Sequence, residues 1–285
     1  KLILNIIYMR AIIKKNINGW IIVDKQTGIT SRQVVTKISK ILNLKKVGHG
    51  GTLDPLATGI LPIAIGEATK VISLVQSKEK KYAFIIKWGE STETDDSEGK
   101  ILEISKARPS HKEITRILNC FIGNIFQKPP LYSAIKINGQ RSYKLARQKI
   151  EIEHKPRKIK VYNLTLKKII DVNSAEFEVT CGKGTYVRSL ARDIAEKLNT
   201  KGHIVSLRRL SVGPFDEKDT IFIDFSKEII HSQPVLNKLS PIETVLDDIP
   251  ALVLNEKEAR QVKQGQKINF ESLQFIKNFE LKYPN

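Results

Sequence analysis

Apolar residues in this chain fall into short runs and alternating stretches that predict β-strands. The first run, N-G-W-I-I-V-D at positions 18–24, ends at a turn formed by residues 25–28. Apolar runs of this length between turn residues are typical of buried strands. Similar patterns predict strands at residues 60–65, 81–88, 158–169, 175–181 and 203–212, of which 158–169 and 175–181 form a hairpin.

Two helices are predicted from capping signals that precede apolar residues at helical spacing. Thr30 and Gln33 have the spacing of a capping box, and apolar residues recur after them at helical intervals up to position 42. Ser110 and Glu113 repeat this signal before a helix that extends to position 121. Further helices are predicted at 67–75, at 189–198 and just after position 240. Many strands with a few helices predict an α+β fold with a mixed, largely antiparallel central sheet and flanking helices.

Composition bounds the class of protein. The 285 residues are 41% hydrophobic, which is enough for one large core and a smaller module. A net charge of +18 suits RNA, DNA or an acidic membrane surface as a partner, although a solvated lysine-rich surface carries the same charge. No apolar run approaches the ~20 residues of a membrane-spanning helix. Two separated cysteines and five dispersed histidines predict no disulfide framework and no metal site.

One glycine-rich loop contains the strongest candidate for chemistry. Residues 48–59, G-H-G-G-T-L-D-P-L-A-T-G, hold a single acid, Asp54. Pro55 disfavours helical conformation at Asp54, so the carboxylate lies on an extended or turn segment that leads into a strand. Such a carboxylate is either a turn-forming group or a functional one. The loop matches neither of the glycine-rich phosphate-binding patterns.

A basic segment is the second candidate. Residues 127–160 contain ten Lys or Arg against two Glu, with tyrosines at positions 132, 143 and 162 in or near the segment. Cations contact phosphates and aromatic rings stack on bases, so the mixture suits a nucleic-acid surface. The alternative is a solvated amphipathic hairpin. The candidate RNA contacts are Lys136, Arg141, Lys144 and Arg147.

Four strings together resemble one family. Residues 47–70, V-G-H-G-G-T-L-D-P-L-A-T-G-I-L-P-I-A-I-G-E-A-T-K, closely resemble the signature of the bacterial tRNA pseudouridine-55 synthases of the TruB type. Residues 80–82 match the family's (K/R)-x-Y strand, 183–188 its K-G-T-Y-(I/V)-R string and 207–210 its L-R-R-L string. The resemblance covers residues 19–246. It departs at Lys25-Gln26, where the family usually has Lys-Pro, a change that loosens a turn but removes no chemistry.

The resemblance implies an activity. The protein is expected to isomerise uridine 55 in the T-arm of tRNA: the N-glycosidic bond is cut, the bound uracil turns, and C5 joins the ribose. No cofactor, metal or cosubstrate is expected. Asp54 would be the catalytic residue, because an ionised carboxylate can attack, stabilise or deprotonate the ribose.

The resemblance also implies substrate-binding residues, which are His49, Tyr82, Tyr186, Arg188 and Leu207, with Asp96 as a weaker candidate near the ribose. An arginine can keep a carboxylate ionised, although a surface cation at a helix start is an equal alternative for Arg188 from sequence by itself. The uridine must be extruded from its loop, so Tyr82 would stack on the base and His49 would fill the gap that it leaves.

The implied organisation has three parts. Residues 1–17 form an N-terminal extension in which Met9 is the expected true start. Residues 18–246 form the catalytic domain, with residues 127–160 as a thumb-like insertion that grips the RNA stem-loop. Residues 247–285 form a PUA-like module that is shorter than a complete one. We expect a cytoplasmic monomer that binds tRNA, with no membrane and no obligate protein partner.

Two other functions share these features. One is an RNA-binding or RNA-folding module that keeps the synthase scaffold and has lost its activity; the presence of both Asp54 and Arg188 argues against it. The other is a guide-RNA-dependent synthase of the archaeal and eukaryotic kind. The extended basic insertion favours the stand-alone bacterial type.

Overall fold

Sixteen strands are present in the part of the chain that a computed structural model describes, which is residues 17–137, 139–224, 235–247, 249, 252–268 and 274–275. Met9 therefore lies outside the described residues. The strands are β1 (Gly19–Lys25), β2 (Val47–His49), β3 (Thr58–Ile65), β4 (Lys80–Trp88), β5 (Glu90–Thr92), β6 (Ile101–Ile104), β7 (Gly123–Gln127), β8 (Lys136–Ile137), β9 (Gln140–Arg141), β10 (Arg157–Asp171), β11 (Ser174–Cys181), β12 (Gly202–Val212), β13 (Phe215–Asp216), β14 (Thr220–Ile221), β15 (Leu252–Val253) and β16 (Gln274–Phe275).

Ten of these strands form one mixed sheet. Its order is β14-β1-β3-β12-β4-β11-β10-β7, with β2 beside β3 and β13 beside β12. The β1–β14 and β3–β12 pairs are parallel, and the other pairs are antiparallel. The predicted α+β fold with a largely antiparallel sheet is confirmed.

Helices lie mainly between the strands of this sheet in sequence. They are α1 (Ser31–Leu42), α2 (Ile72–Ser77), α3 (His111–Leu118), α4 (Ser142–Arg147), α5 (Val187–Lys197) and α6 (Glu256–Lys263). Both predicted capping boxes are present at the starts of α1 and α3. The helix predicted at 67–75 is instead a 3-10 helix, Gly66–Val71, followed by α2, and α3 gives way to a 3-10 turn, Asn119–Phe121.

A large cluster of buried apolar side chains lies on one face of the sheet. At β1 the other face is buried as well, since Trp20, Ile22 and Phe215 are at most 1% exposed. Phe84, Trp88 and Phe177 project from β4 and β11 and are at most 1% exposed. Phe84 stacks on Phe177 at 5.4 Å between ring centroids, and the edge of Trp88 meets Phe177 at 6.1 Å. Buried residues of α3 and α5 belong to the same cluster, because each helix carries an apolar stripe at helical spacing. These helices fix the position of the residue at the start of α5, Arg188.

The basic segment forms a small substructure between β7 and β10. Strands β8 and β9 pair with each other, and α4 follows directly. Buried Ser142 anchors it, since its backbone N–H donates to the Ile135 carbonyl at 2.7 Å and its hydroxyl lies 2.9 Å from Nε2 of buried His154. We call this substructure the thumb, residues 128–156.

The chain divides into two units, Lys1–Ile242 and Glu243–Asn285. The second contains the β15–β16 pair and α6, which begins at a capping box formed by Asn255 and Glu258. The short helix predicted after position 240 is a 3-10 helix, Ile242–Val245. The predicted catalytic-domain boundary at 246 and the PUA-like character of the tail stay predictions. Among the described residues, no helix has the length and apolar character to cross a membrane.

Candidate active site

The loop that carries Asp54 connects β2 to β3 and is held on both sides of the acid. The Ser31 hydroxyl accepts from the Leu53 N–H at 2.9 Å and donates to the Leu53 carbonyl at 3.0 Å. The Lys25 ammonium donates to the carbonyl oxygens of Ile29 (2.7 Å) and Pro55 (3.2 Å). The residues before and after Asp54 are therefore fixed to the end of β1 and the start of α1.

Arg188 reaches Asp54 from the first turn of α5. Its Nε donates to Oδ2 of Asp54 at 2.9 Å, and its other nitrogens donate to the carbonyl oxygens of Thr94 (2.6 Å) and Tyr132 (3.0 Å). The Arg188 side chain is 5% exposed, whereas that of Asp54 is 36% exposed. A buried guanidinium with three hydrogen-bond acceptors is not a surface cation, and it holds the carboxylate in one orientation.

Two neighbouring acids near Arg188 have separate partners. Asp96 is 3% exposed; its carboxylate lies 3.5 Å from the Arg188 guanidinium and accepts from the Glu98 N–H at 3.0 Å. Asp95 has a positive φ of 59° and pairs with Arg192 at 2.7 Å. Burial raises the pKa of Asp95 to about 6 despite this ion pair. Asp96 is thus the acid that faces the Asp54–Arg188 pair.

Asp54 lies at the wall of a pocket of about 230 Å³. The pocket brings together five of the residues predicted from sequence. Its lining residues are Thr52, Leu53, Asp54, Tyr82, Ser133, Ala134, Thr185, Tyr186, Val187, Arg188 and Leu207. The carboxylate therefore faces a space with two phenol rings and aliphatic side chains, in which electrostatic interactions are stronger than in water.

The two pocket tyrosines keep their protons at neutral pH. Burial raises the pKa of Tyr82 and of Tyr186 above the usual value for a phenol. Tyr186 is positioned through its backbone, because its N–H donates to Oε1 of Gln127 at 2.9 Å and its carbonyl accepts from Nε2 of the same side chain at 3.1 Å. Both hydroxyls can act as hydrogen-bond donors.

The remaining predicted residues lie outside the pocket lining. His49 is in β2, and burial and the charge of Arg209 lower its pKa, so the imidazole is neutral at pH 7. The four thumb residues Lys136, Arg141, Lys144 and Arg147 are exposed. Ser133 and Ala134, at the base of the thumb, line the pocket and connect the two regions.

Sequence comparison identifies the family. Residues 39–187 match the model described as TruB family pseudouridylate synthase (N terminal domain), and residues 188–247 match that of the tRNA pseudouridylate synthase B C-terminal domain. This chain belongs to the TruB family. It is 48% identical over 253 residues to tRNA pseudouridine synthase B of Rhodospirillum rubrum, a match that covers 89% of this chain and 82% of that protein. The protein of the same name from Caulobacter sp. (strain K31) is 45% identical, with 88% and 81% coverage. The predicted family is confirmed.

Solved structures agree with this family assignment. A chain of a Cbf5-Nop10-Gar1 complex superimposes with a TM-score of 0.66 at 29% identity, over 87% of this chain and 67% of that one. A chain of an H/ACA RNP bound to a substrate RNA containing 2'-deoxyuridine gives a TM-score of 0.64 at 25% identity, over 92% and 69%. The TruB-family fold therefore extends over the unit that contains the pocket.

Sequence reasoning missed three residues that build the site of this TruB-family chain. Lys25 holds the Pro55 carbonyl, Gln127 holds the Tyr186 backbone, and Arg209 donates to the carbonyls of Gly51 in the glycine-rich loop and Ile60 in β3. Each lies on a strand and is at most 1% exposed. The sequence signal for these residues was a polar side chain at a buried position of a strand. This signal does not identify the backbone group that the side chain binds.

Lys25 predicts a measurable pH effect on stability. Burial lowers its pKa from 10.5 to about 8. Between these values the folded state has lost the proton and the unfolded chain has kept it, so the lysine makes the fold more stable as the pH rises through this window. In urea unfolding, the free-energy difference between wild type and Lys25→Met should increase by about 2 kcal/mol in favour of wild type from pH 7.5 to 9.5.

A second buried lysine does not disturb this measurement. Lys80 also has a pKa of about 8, but it titrates in both wild type and Lys25→Met, so its effect cancels in the difference between their unfolding free energies. A difference that stays constant or narrows over this pH range would show that Lys25 does not titrate there.

Proposed function

We propose that this chain converts uridine 55 in the T-arm of tRNA to pseudouridine, with Asp54 as the catalytic residue. The observation that carries the proposal is the Asp54 carboxylate, held by Arg188 at 2.9 Å, at the wall of a pocket that also contains Tyr82, Tyr186 and Leu207. The names of the relatives support the same reaction and the same class of substrate.

The chemistry needs the groups that the pocket contains. The N1–C1' bond of the uridine breaks with its electrons moving to the base, and a C5–C1' bond forms after the base has turned. A proton leaves C5 and a proton is delivered to N1, so the reaction is an isomerisation with no net redox change. The Asp54 carboxylate can attack C1', stabilise the positive charge of the ribose or take a ribose proton. The Tyr82 hydroxyl suits the proton transfers, because a phenol both donates and accepts.

Access to the pocket requires that the uridine leave its loop. A base enters such a pocket only when it is extruded from its stack, and its face is then covered by an aromatic or apolar wall. Tyr82 supplies a ring for stacking, while Tyr186 and Leu207 close the pocket. His49, which is neutral and belongs to the glycine-rich loop, is assigned to the space that the extruded nucleotide leaves.

The exposed thumb cations are assigned to the RNA backbone. Lys136, Arg141, Lys144 and Arg147 project from a substructure whose base lines the pocket. RNA bound in the pocket therefore passes the thumb, and contacts to phosphates would position it without reading the sequence. We expect binding that weakens steeply with salt, because neutralised phosphates release their counterions.

Changing the four thumb cations together to Gln should lower RNA affinity about 10- to 100-fold at low salt. The slope of log Kd against log salt should fall by up to about 3, since each lost phosphate contact contributes about 0.7 in single-stranded RNA. The measurement is fluorescence anisotropy with a T-arm stem-loop over a salt series.

A matched control removes the same charge elsewhere. Lys112 and Arg116 on α3, with Lys167 and Lys168 on β10, are also exposed. Their change to Gln should leave the salt slope within about one unit of wild type. Equal losses in the two quadruple variants would mean that net charge, and not the thumb, sets affinity.

We also propose that the protein acts as a monomer in the cytoplasm and needs no protein partner. The first unit contains every residue assigned to the site, so no second chain is required to complete it. The tail after residue 246 is proposed as a PUA-like module with at most an accessory contact to RNA.

The test uses an unmodified tRNA transcript and the same transcript with cytidine at position 55. The purified protein is incubated with each, without guide RNA, and pseudouridine is mapped by carbodiimide-blocked primer extension. The expected result is a primer-extension stop that maps to position 55 in the transcript with uridine there and no such stop in the transcript with cytidine. Binding without product would favour the RNA-binding module, and product only after a guide RNA is added would favour the guide-dependent synthase.

A further inference from the structure

Two adjacent arginines of β12 have opposite environments. Arg208 forms a two-pronged ion pair with Asp24, at 2.9 and 3.0 Å, and its guanidinium also contacts Glu217 at 2.7 Å. Arg209, on the other face of the strand, is 1% exposed. Its Nε donates to the Ile60 carbonyl at 2.7 Å and its Nη2 donates to the Gly51 carbonyl at 3.1 Å. The buried guanidinium thus uses its donors on backbone carbonyls.

The two carbonyls lie on either side of Asp54 in sequence. Arg209 therefore connects the start of the catalytic loop to the strand that follows it. The backbone of β12 also approaches β3 closely here, because a Cβ built at Gly59 would lie 2.3 Å from the Arg209 carbonyl oxygen. Gly59 has a φ of +96°, which a residue with a side chain rarely adopts. The strand that follows the loop is therefore packed directly against the backbone of Arg209.

Arg209 also faces Tyr82. The two residues are partners in the antiparallel β12–β4 pair, so their side chains lie on the same face of the sheet. Burial raises the pKa of the Tyr82 hydroxyl, and the positive charge of Arg209 lowers it by a smaller amount. A guanidinium has donors only, so towards it the phenol oxygen can act only as an acceptor. The hydroxyl proton of Tyr82 is then free for a partner in the pocket.

We propose that Arg209 is a positioning residue for the reaction, which sets the direction in which the Tyr82 hydroxyl donates and holds the Asp54 loop at both ends. This inference rests on the proposed function for its role in catalysis. As a proton moves between the Tyr82 oxygen and the uracil, negative charge on that oxygen is stabilised by the fixed guanidinium behind it. Asp54 and Tyr82 then keep a constant separation, because the side chain that is bonded to the loop also faces the phenol across the β12–β4 pair.

The first test is kinetic. Arg209→Met should lower the single-turnover rate of pseudouridine formation about 30-fold or more, the effect of losing a hydrogen bond from a charged donor. The Kd for the T-arm should stay within about twofold, because Arg209 is buried and does not line the pocket. Arg209→Lys, which keeps the charge but cannot bond both carbonyls in the same fixed geometry, should give a smaller loss. Arg208→Met is the matched control and should leave the rate near that of wild type.

The second test is independent of activity. Replacing the seven tyrosines with a fluorinated analogue that titrates nearer neutrality allows each phenol to be followed by ¹⁹F NMR, with the Tyr82 signal assigned by its loss in Tyr82→Phe. Arg209→Met should raise the pKa of Tyr82 by about one unit or more, because a nearby positive charge favours the phenolate. Arg208→Met should not change it.

The outcomes separate the two proposals. An unchanged pKa of Tyr82, or an unchanged rate, in Arg209→Met would overturn the positioning role. If Arg209→Met does not fold, the same comparison with Arg209→Lys decides, and a rate loss without a pKa change would again overturn it. If wild type forms no pseudouridine, the proposed function fails, while the titration still reports whether Arg209 acts on Tyr82.

Discussion

Asp54→Asn should abolish pseudouridine formation while leaving RNA binding intact. The amide keeps the shape of the side chain but removes the charge, and a neutral amide can neither attack C1' nor stabilise a positive ribose. We expect the single-turnover rate to fall by at least about four orders of magnitude, as when a reacting group is removed from other enzymes. The measurement is rapid-quench mapping of the product, with the Kd for the T-arm measured in parallel.

The fold should tolerate this substitution. The Asp54 side chain is 36% exposed, and Arg188 keeps Asp96 and two backbone carbonyls as partners. Asp171→Asn, at the end of β10, is a matched control that removes an acid outside the pocket lining. Residual activity of Asp54→Asn within about 100-fold of wild type would contradict a catalytic role for the carboxylate.

Arg188→Met should lose both activity and stability. The change leaves Asp96 buried at 3% exposure without its cation and frees Asp54 from its fixed orientation. Removing one partner of a buried ion pair costs about 3–5 kcal/mol of unfolding free energy. The rate should fall by about three orders of magnitude, because the carboxylate loses its electrostatic support and alignment. Urea unfolding and single-turnover kinetics measure the two effects.

Arg192→Met provides the control for this prediction. Arg192 lies one turn further along α5 and pairs with Asp95 and Asp193, with its side chain 21% exposed. Its loss should reduce stability by a smaller amount and leave the rate within about tenfold of wild type, since Arg192 does not line the pocket. If the two variants lose activity in proportion to their stability, Arg188 has a structural role and no direct one in catalysis.

The sequence by itself determined the six longest strands of the central sheet, two of the helix starts and the candidate acid; the shorter strands were not predicted. Alternation of apolar residues predicts β11, and burial alternates along β11 in the structure, because successive side chains of a strand face opposite sides. The capping boxes at Thr30 and Ser110 are local interactions within four residues, so sequence spacing is sufficient to find them. Asp54 was identified from an unbroken string around it, and its proline neighbour explains its non-helical backbone.

Only the tertiary structure decided which groups meet. Asp54 and Arg188 are 134 positions apart. No local sequence pattern predicts that the first turn of α5 lies beside the loop that carries Asp54. Asp95 and Asp96 are adjacent in sequence, yet one pairs with Arg192 and the other faces Arg188, because a positive φ at Asp95 separates their directions. Arg208 and Arg209 differ in the same way, since neighbouring residues of a strand face opposite sides of the sheet. Burial and pairing depend on how distant elements pack, and for this reason the chemistry of each charged residue was settled by the fold.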